Sequence, residues 1–218
     1  MFERNIDNYS IREQLQLYKS TVAICGIGGG GCVVAEILAR TGIGHLILAD
    51  GDRFENSNKN RQIGATDLSI GKYKAEIIAN RIRSINSKCH VMYFNEYVTK
   101  ENYRTILSKA DIICDTVDGN KNKRDILTYA LELQIPIASG GLSGSSFDYF
   151  IVDDFSLSVD QIRPKTNIKS LSANTSSLFI QGGYQAQAII DYLLCRPIKT
   201  NTIYRYNAYK MLFEEYAI

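Results

Sequence analysis

Near the N-terminus runs Thr21-Val-Ala-Ile-Cys25-Gly26-Ile-Gly-Gly-Gly-Gly31, a short apolar segment that passes directly into a glycine-rich loop. The apolar part is typical of a buried β-strand, and Cys32–Arg40 after the loop is typical of a helix. A second apolar segment, His45–Ala49, is followed by Asp50, which lies 19 residues beyond Gly31. Glycines between a strand and a helix let a phosphate approach the helix N-terminus, and an acid at that distance binds ribose hydroxyls. The pattern predicts a nucleotide site but does not distinguish NAD from ATP.

The remaining chain continues this alternation of apolar strands and amphipathic helices. Further strands are predicted near 91–94 and over Asp111–Asp115 and Pro136–Ala138, with helices over 72–85, 99–109 and 121–133. After Gly141 the pattern predicts an antiparallel strand over Phe147–Val152, a helix over Ser176–Leu194 and a hairpin of 203–206 with 211–216. Strands that alternate with helices form parallel sheets with right-handed crossovers. The predicted fold is α/β, a doubly wound, Rossmann-like, mostly parallel sheet with antiparallel C-terminal strands, in one domain over residues 1–218.

The composition excludes several classes of protein. The chain has 218 residues, of which 45% are hydrophobic and 22% charged, as in ordinary globular domains. Lys plus Arg number 25 and Asp plus Glu number 23, so the net charge of +2 gives no argument for a nucleic-acid or membrane surface. No apolar run approaches the roughly 18 residues that a membrane span needs. The N-terminus has no apolar signal core. We expect a cytoplasmic protein without a membrane partner.

Polar residues after two of the predicted strands indicate which nucleotide is bound. Asn56-Ser-Asn-Lys-Asn-Arg61-Gln62 lies in a long irregular connection, and its amide and guanidinium donors suit a polyphosphate. Lys74, 13 residues after Arg61, begins the next helix with a compact positive charge. Asp118 follows the strand that ends at Asp115, and a carboxylate there can hold Mg²⁺. These residues share the sheet edge at which doubly wound folds bind ligands, and together they favour ATP over NAD.

With their spacing, these stretches resemble the motifs of the ThiF/MoeB/HesA family, the prokaryotic relatives of ubiquitin-activating enzymes. The matching stretches are Gly26-Ile-Gly-Gly-Gly-Gly31, Asp50-Gly-Asp52, Ser57-Asn-Lys-Asn-Arg-Gln62, Gly71-Lys-Tyr-Lys74 and Asp115-Thr-Val-Asp118. The S-N-x-N-R-Q stretch at this position is highly specific, whereas the glycine loop alone is not. The resemblance runs from end to end of the chain.

The resemblance implies ATP and Mg²⁺ as cofactors and a role for each residue of the motifs. Gly28 and Gly29 are expected to approach the nucleotide, Asp50 to bind ribose and Asp118 to hold Mg²⁺. Phosphate binding is implied for Asn58, Arg61 and Lys74. The expected cofactor-binding set is completed by Asp52, Ser57 and Gln62.

The resemblance also implies a homodimer. Residues 1–20 are interpreted as a helical arm, because Arg4-Asn-Ile6 and Gln14-Leu-Gln-Leu17 are similar to a family segment before the first strand. In the family the arginine of that segment reaches the γ-phosphate bound to the partner subunit. Arg4 is therefore expected to act in trans, beside Arg61, Lys74 and Asp118 as catalytic residues. Residues 153–175 are interpreted as a substrate or crossover loop.

The cysteines depart from the pattern of several relatives. Some family members carry paired C-x-x-C motifs for structural zinc, and none occurs here, so we expect no zinc. Other members carry a cysteine in the loop before the last helix, but residues 153–176 contain none. Cys25 and Cys114 lie in predicted strands, and Cys32 and Cys195 in predicted helices. An enzyme that stops at adenylation is therefore favoured over one that continues to a covalent thioester.

The leading hypothesis is ATP-dependent adenylation of the C-terminal glycine of a small ubiquitin-like sulfur-carrier protein, for thiamine or molybdopterin synthesis. The main rival is a tRNA threonylcarbamoyladenosine dehydratase, whose sequences resemble this chain at Ala39–Gly44, Arg81–Asn86 and Val98–Asn102. The basic residues that such an enzyme would use on RNA form only a modest cluster, so a tRNA substrate is neither predicted nor excluded. A peptide-modifying adenylyltransferase is also open because its chemistry is the same. An NAD-dependent oxidoreductase and a non-catalytic dimeric scaffold are less favoured.

Overall fold

The computed structural model of the chain describes residues 2–5, 7–165, 174–207 and 209–218. Its strands are β1 (Thr21–Cys25), β2 (His45–Ala49), β3 (His90–Phe94), β4 (Ile112–Asp115), β5 (Ile137–Ser143), β6 (Ser146–Val152), β7 (Thr202–Asn207) and β8 (Leu212–Ala217). Its α-helices are α1 (Ile11–Lys19), α2 (Gly29–Thr41), α3 (Lys74–Ile85), α4 (Tyr103–Leu107), α5 (Asn120–Leu133), α6 (Val159–Ile162) and α7 (Thr175–Leu193).

All eight strands form one sheet in the order β3-β2-β1-β4-β5-β6-β7-β8. The pairs from β3 to β5 are parallel and those from β5 to β8 are antiparallel, which confirms the predicted fold class. Cys25 at the end of β1 is in register with Ala49 of β2 and Asp115 of β4. The loops after β1, β2 and β4 therefore leave the sheet at one level, the carboxyl edge.

Strand β5 takes part in both halves of the sheet. Residues 137–139 pair in parallel with β4, while the whole of β5 pairs antiparallel with β6. The predicted end of this strand at Ala138 was wrong, because the strand continues through Gly140-Gly141 to Ser143. Glycine has low strand propensity, so the sequence pattern does not show an extension that pairing with β6 imposes.

Other boundaries also differ from the predicted ones. Helix α2 begins at Gly29 and not at Cys32, because the glycines themselves form its first turn. Helix α4 spans only Tyr103–Leu107. The loop 153–175 contains α6, capped by Ser158, while residues 166–173 lie outside the described part of the chain.

Two hydrophobic layers enclose the sheet. On one face α2, α3 and α7 supply residues such as Leu38, Ile78 and Ile189. On the other face α4 and α5 pack Ile106 and Leu127 against Phe150 of β6. None of the described helices combines the length and apolarity needed to cross a bilayer.

The N-terminal arm packs beside the C-terminal end of α2. It comprises a 3-10 turn over Glu3–Asn5 and then α1, whose N-terminus is held by a capping box between Ser10 and Glu13. The amide of Gln14 donates to the Thr41 carbonyl at 2.9 Å. The arm is therefore anchored at the amino edge of the sheet.

Candidate nucleotide site

The glycine loop directs the chain from β1 into α2 at the carboxyl edge. Gly26 has a φ of +88°, and a Cβ on Gly31 would lie 2.0 Å from the Gly26 carbonyl oxygen, so both positions require glycine. Gly28 is the N-cap of α2 and offers no side chain to the N–H groups of the first turn. The nearest atom to a Cβ on Gly28 would be Nε2 of Gln62, at 3.8 Å. The free N–H groups and the helix dipole favour an anion beside Gly28.

Gly29 has a different environment from Gly28. A Cβ there would lie 2.6 Å from a methyl carbon of Leu178 on α7 and 3.1 Å from the Arg61 carbonyl oxygen. The packing of α2 against α7 is therefore sufficient to require glycine at position 29, whether or not a nucleotide binds there. Of the two glycines expected to approach the nucleotide, Gly28 borders open space and Gly29 borders α7.

A chain of hydrogen bonds joins four segments at the carboxyl edge. The carboxylate of Asp50 accepts the N–H of Ile27 at 2.6 Å and the N–H of Asp52 at 2.7 Å. The carboxylate of Asp52 accepts from Nζ of Lys74 at 3.0 Å and from the hydroxyl of Tyr97. The glycine loop, the loop after β2, the start of α3 and the loop after β3 are thereby held in one arrangement.

The pKa values of the residues in this hydrogen-bond network are set by burial and by the hydrogen bonds themselves. Burial raises the pKa of Asp50, and the N–H groups of Asp52 and Ile27 offset part of the increase. Partial burial also acts to raise the pKa of Asp52, but the hydrogen bonds from Tyr97 and Lys74 outweigh it and lower that pKa overall. The bond to Asp52 raises the pKa of Tyr97 to about 12. At neutral pH Tyr97 is therefore a hydroxyl donor, and Asp52 compensates the charge of the buried Lys74.

The segment after β2 places one uncompensated cation near the glycine loop. Asn58 and Gln62 are buried, and Oε1 of Gln62 has no hydrogen-bond partner among the described residues. Arg61 donates to the carbonyl of Ser57 at 3.1 Å and to the side chain of Asn60 at 2.9 Å. It forms no ion pair with any acid in the described ranges. Its charge therefore remains available to a phosphate.

Asp118 lies exposed in the turn between β4 and α5. One of its carboxylate oxygens accepts the N–H of Gly119 at 2.8 Å, and Gly119 adopts a φ of +83° that favours glycine. The second oxygen accepts no hydrogen bond from any described residue, so it could bind a cation. Mg²⁺ is usually held by one or two carboxylates together with phosphates, so this donor set fits it. The described residues contain no group of three or more His, Cys, Asp or Glu placed to hold a metal, and the expected lack of zinc stays a prediction.

Arg4 is the predicted site residue that the fold does not bring to the others. It is exposed in the N-terminal turn, and Asn5 next to it donates to the Thr41 carbonyl at 3.3 Å. Thr41 ends the 13-residue helix that Gly29 begins. The two ends of such a helix lie about 20 Å apart, so Arg4 is remote from Gly28 in the same chain.

Two residues of this edge were missed by the sequence reasoning. Tyr97 lies in a loop without a motif, and only the packing of its ring against Gly51 brings its hydroxyl to Asp52. Asp115 begins one of the family-like motifs, but no role was predicted for it. It is fully buried, accepts from the Ser139 hydroxyl at 2.6 Å and lies 3.5 Å from Nζ of Lys123. The position of an acid at the end of an apolar strand could have indicated a role for Asp115. No sequence pattern indicated a role for Tyr97.

Comparison of sequences finds relatives that are longer than this chain. The tRNA threonylcarbamoyladenosine dehydratase of Escherichia coli (strain K12) is 38% identical over 136 residues, which are 62% of this chain and 51% of that protein. The adenylyltransferase and sulfurtransferase MOCS3 of Drosophila willistoni is 30% identical over 135 residues, 62% of this chain and 30% of that protein. The chain spans about half the length of the dehydratase that it matches.

Comparison of structures shows the same fold in E. coli MccB solved with AMPCPP and MccA. The TM-score is 0.82 at 22% identity, over 99% of this chain and 70% of that one. The sequence profile of the ThiF family matches residues 2–218. Because this match covers nearly the whole sequence, the chain belongs to the ThiF family.

Proposed function

We propose that the protein activates a carboxylate by ATP-dependent adenylation. ThiF family members are ATP-utilising enzymes. The observation that carries the proposal is the meeting of the uncapped, glycine-rich start of α2 with Lys74 and the uncompensated Arg61 at one sheet edge. Two cations and a row of backbone N–H groups suit a polyphosphate better than a nicotinamide.

In the proposed step an oxygen of the substrate carboxylate attacks the α-phosphorus of ATP. A new O–P bond forms, the bond between the α-phosphorus and the bridging oxygen breaks, and pyrophosphate leaves with that electron pair. No general base is needed because a carboxylate is already ionised at neutral pH. The work of the protein is to position the reactants and to stabilise negative charge on the phosphate oxygens.

Each residue has a defined part in this step. Asp50 would accept ribose hydroxyls through lone pairs that its backbone contacts leave free, and Asn58 and Gln62 would supply amide groups near the phosphates. Arg61 and Lys74 would neutralise phosphate charge, with Lys74 exchanging Asp52 for a phosphate oxygen. Asp118 would hold Mg²⁺, which supplies further charge neutralisation when bound.

Two substrates fit the proposal. One is the C-terminal glycine of a small ubiquitin-like sulfur-carrier protein, in keeping with the similarity to MOCS3. The other is the threonylcarbamoyl carboxylate of modified tRNA, and the higher identity to the dehydratase favours it. Both present a carboxylate to the α-phosphate, so the same residues serve either.

A homodimer is also proposed. Arg4 is remote from the nucleotide edge of its own chain, so any contact with phosphate has to be made in a second copy. Helix α1 next to it exposes Ile11 and Leu15 along a groove of about 910 Å³, an apolar surface suited to a partner chain.

The five unpaired cysteines support a reducing compartment, the cytoplasm.

The test is substrate-dependent release of pyrophosphate from Mg·ATP, with a Gly-Gly-ended carrier protein and threonylcarbamoyladenosine-containing tRNA as alternative substrates. We expect release with one of them and none with either in the Asp118→Ala variant, whose melting temperature should equal that of the wild type. Thermal unfolding with Mg·ATP and with NAD at equal concentration gives an independent readout. Stabilisation by NAD alone would contradict the proposal.

A further inference from the structure

The two histidines of the chain lie side by side on neighbouring strands, at the amino edge of the sheet. His45 begins β2 and His90 begins β3, and the two are directly opposed in the parallel register. Their rings stack, with centroids 5.2 Å apart and planes inclined by 15°. The N–H of His45 donates to the Ser20 carbonyl at 3.1 Å and that of His90 to the Gly44 carbonyl at 2.8 Å. Strand pairing therefore fixes the backbone positions from which both imidazoles project.

A thioether lies on the same face of the sheet as the two imidazoles. Alternate residues of a strand share a face, so Met92 lies on the side of β3 that carries His90. Strand β3 is at the edge of the sheet, where Met92 is 48% exposed and His90 is exposed. We call His45, His90 and Met92 the histidine–methionine cluster. It places three metal-binding side chains on one solvent-accessible part of the sheet.

The donor atoms of the cluster are accessible. No hydrogen bond between described residues uses either imidazole. His90 borders a groove of about 570 Å³ beside the N-terminal arm, so an ion can reach its ring from solvent. Imidazole nitrogens bind a metal ion such as zinc at about 2.0–2.1 Å, so two nitrogens on one ion lie at most about 4 Å apart. Rings with centroids 5.2 Å apart can reach that separation by rotation about their side-chain torsions.

The chemistry of these donors selects the class of ion. No described Cys, Asp or Glu joins the histidines in a group of three, so the ligands that Mg²⁺, Ca²⁺ and Zn²⁺ take in proteins are lacking. Imidazole and thioether donors carry no charge when they bind a metal. The exposed Lys88, which borders the same groove, adds a positive charge that disfavours a divalent ion. A soft, singly charged ion that is stable at low coordination number fits best, and thioethers select Cu⁺.

We propose that the histidine–methionine cluster binds one Cu⁺ ion, through one nitrogen of each imidazole and the sulfur of Met92. The bound ion would link the edge strand β3 to β2. Because only the folded chain brings the three side chains together, binding would also stabilise the fold. The site lies at the edge of the sheet opposite the candidate nucleotide site, so the inference is independent of the proposed function.

The test uses the full chain as the Cys195→Ser variant, because the exposed thiol of Cys195 would compete for Cu⁺. The ion is supplied without oxygen, in ascorbate, as its complex with bicinchoninate, whose absorbance reports transfer to the protein. Proton–carbon NMR follows the imidazole C–H groups and the methionine methyls. We expect one ion per chain, with shifted signals for both histidines and for Met92. The signal of Met211, which is 82% exposed in the C-terminal hairpin, should not move.

Substitutions then locate the ligands. His45→Asn, His90→Asn and Met92→Leu should each weaken Cu⁺ binding at least tenfold, while Met211→Leu is the matched control and should leave it unchanged. If His45→Asn fails to fold, the exposed His90 provides the histidine test. Unchanged affinity in either His90→Asn or Met92→Leu would overturn the inference. Imidazole signals that do not move after transfer of one ion, or tighter binding of Zn²⁺ than of Cu⁺, would also overturn it.

Discussion

Lys74 is buried although it carries a charge, and Asp52 is its compensating partner within the chain. A bare ammonium would be costly at that depth, and the carboxylate of Asp52 offsets that cost within the fold. In the proposed exchange of Asp52 for a phosphate, Asp52 would keep one partner because Tyr97 also donates to it. The ion pair therefore positions Lys74 at the start of α3, and its role in binding phosphate stays a prediction.

Tyr97→Phe should change how stability depends on pH. The lowered pKa of Asp52 means that its stabilising contribution is present above about pH 4, the usual Asp range, and is lost as the pH falls through the lower folded value. Without the Tyr97 hydroxyl that pKa should rise towards its ordinary value. The free energy of unfolding, measured from pH 6 to pH 3, should then fall less steeply. Tyr93→Phe is the control, and equal slopes for wild type and Tyr97→Phe would contradict the assignment.

The thiols should differ sharply in reactivity. Burial raises the pKa of Cys32 to about 12 and that of Cys89 to about 11, and it also raises the values of Cys25 and Cys114. Cys195 is exposed. An aromatic disulfide reagent at pH 8 should label one thiol in the folded protein, five in guanidinium and none in folded Cys195→Ser. Rapid labelling of a second thiol in the native state would show that a buried segment opens.

The placement of Cys195 also corrects an expectation. It was predicted to lie in a helix, but α7 ends at Leu193 and Cys195 adopts a φ of +54° in the following turn. The apolar run Tyr192-Leu-Leu-Cys195 has no glycine or proline to mark the end of the helix before Cys195. The sequence pattern therefore predicted a helix that continues beyond the observed end of α7 at Leu193.

At the scale of elements, α2 and α7 approach closely because glycines line their contact. A Cβ on Gly182 would lie 2.9 Å from both Cβ and Cγ1 of Val33, and one on Gly29 would collide with Leu178. These contacts hold the first turn of α2, and hence Gly28, in place. The glycine loop is thus shaped by helix packing as well as by any ligand.

Gly182→Ala should destabilise the fold by about 1–3 kcal/mol, because the added methyl overpacks the contact with Val33. Gly183→Ala is a matched control in the same helix, where a Cβ meets nothing within 4 Å. Alanine there should stabilise by up to about 1 kcal/mol through helix propensity. Urea unfolding gives both free energies. Equal effects of the two substitutions would mean that the helices are less tightly packed than described.

Elements with strong local periodicity were predictable, and those imposed by tertiary pairing were not. β1 and β2 were located residue by residue because each is an apolar run that ends in a loop-forming residue. The second half of β5 was not, since Gly140-Gly141 has no intrinsic preference for a strand. At the site, charged residues after strands indicated Arg61, Lys74 and Asp118. Tyr97 could not be foreseen because its contact depends on how a distant loop packs.

At the scale of the whole molecule, the N-terminal arm lies at the amino edge of the sheet and the candidate nucleotide site lies at the opposite, carboxyl edge. In a two-fold dimer each copy could supply Arg4 to the site of the other, and each site would then combine residues of two chains. Neither chain would be complete alone. This arrangement stays a prediction, and it can be tested without knowledge of the interface.

Arg4→Ala and Arg61→Ala should each abolish substrate-dependent pyrophosphate release. After unfolding and refolding together in equal amounts, the two variants should regain about a quarter of wild-type activity, because half the dimers are mixed and each holds one intact site. Light scattering and mass spectrometry of the mixture verify that mixed dimers form. Their presence without any recovered activity would exclude the trans role of Arg4.

The continuity of strand β5 has a consequence for the geometry of the whole sheet. Ser139 pairs in parallel with β4 and antiparallel with β6, whereas Gly141 pairs with β6 alone, and the two residues share a face of one continuous strand. Backbone in a strand advances about 3.3 Å per residue and cannot stretch, so their separation is fixed at about 7 Å. A one-residue insertion between them would turn one of them to the opposite face. The continuous strand thus acts as a rigid spacer that fixes the parallel and the antiparallel parts of the sheet in a single register.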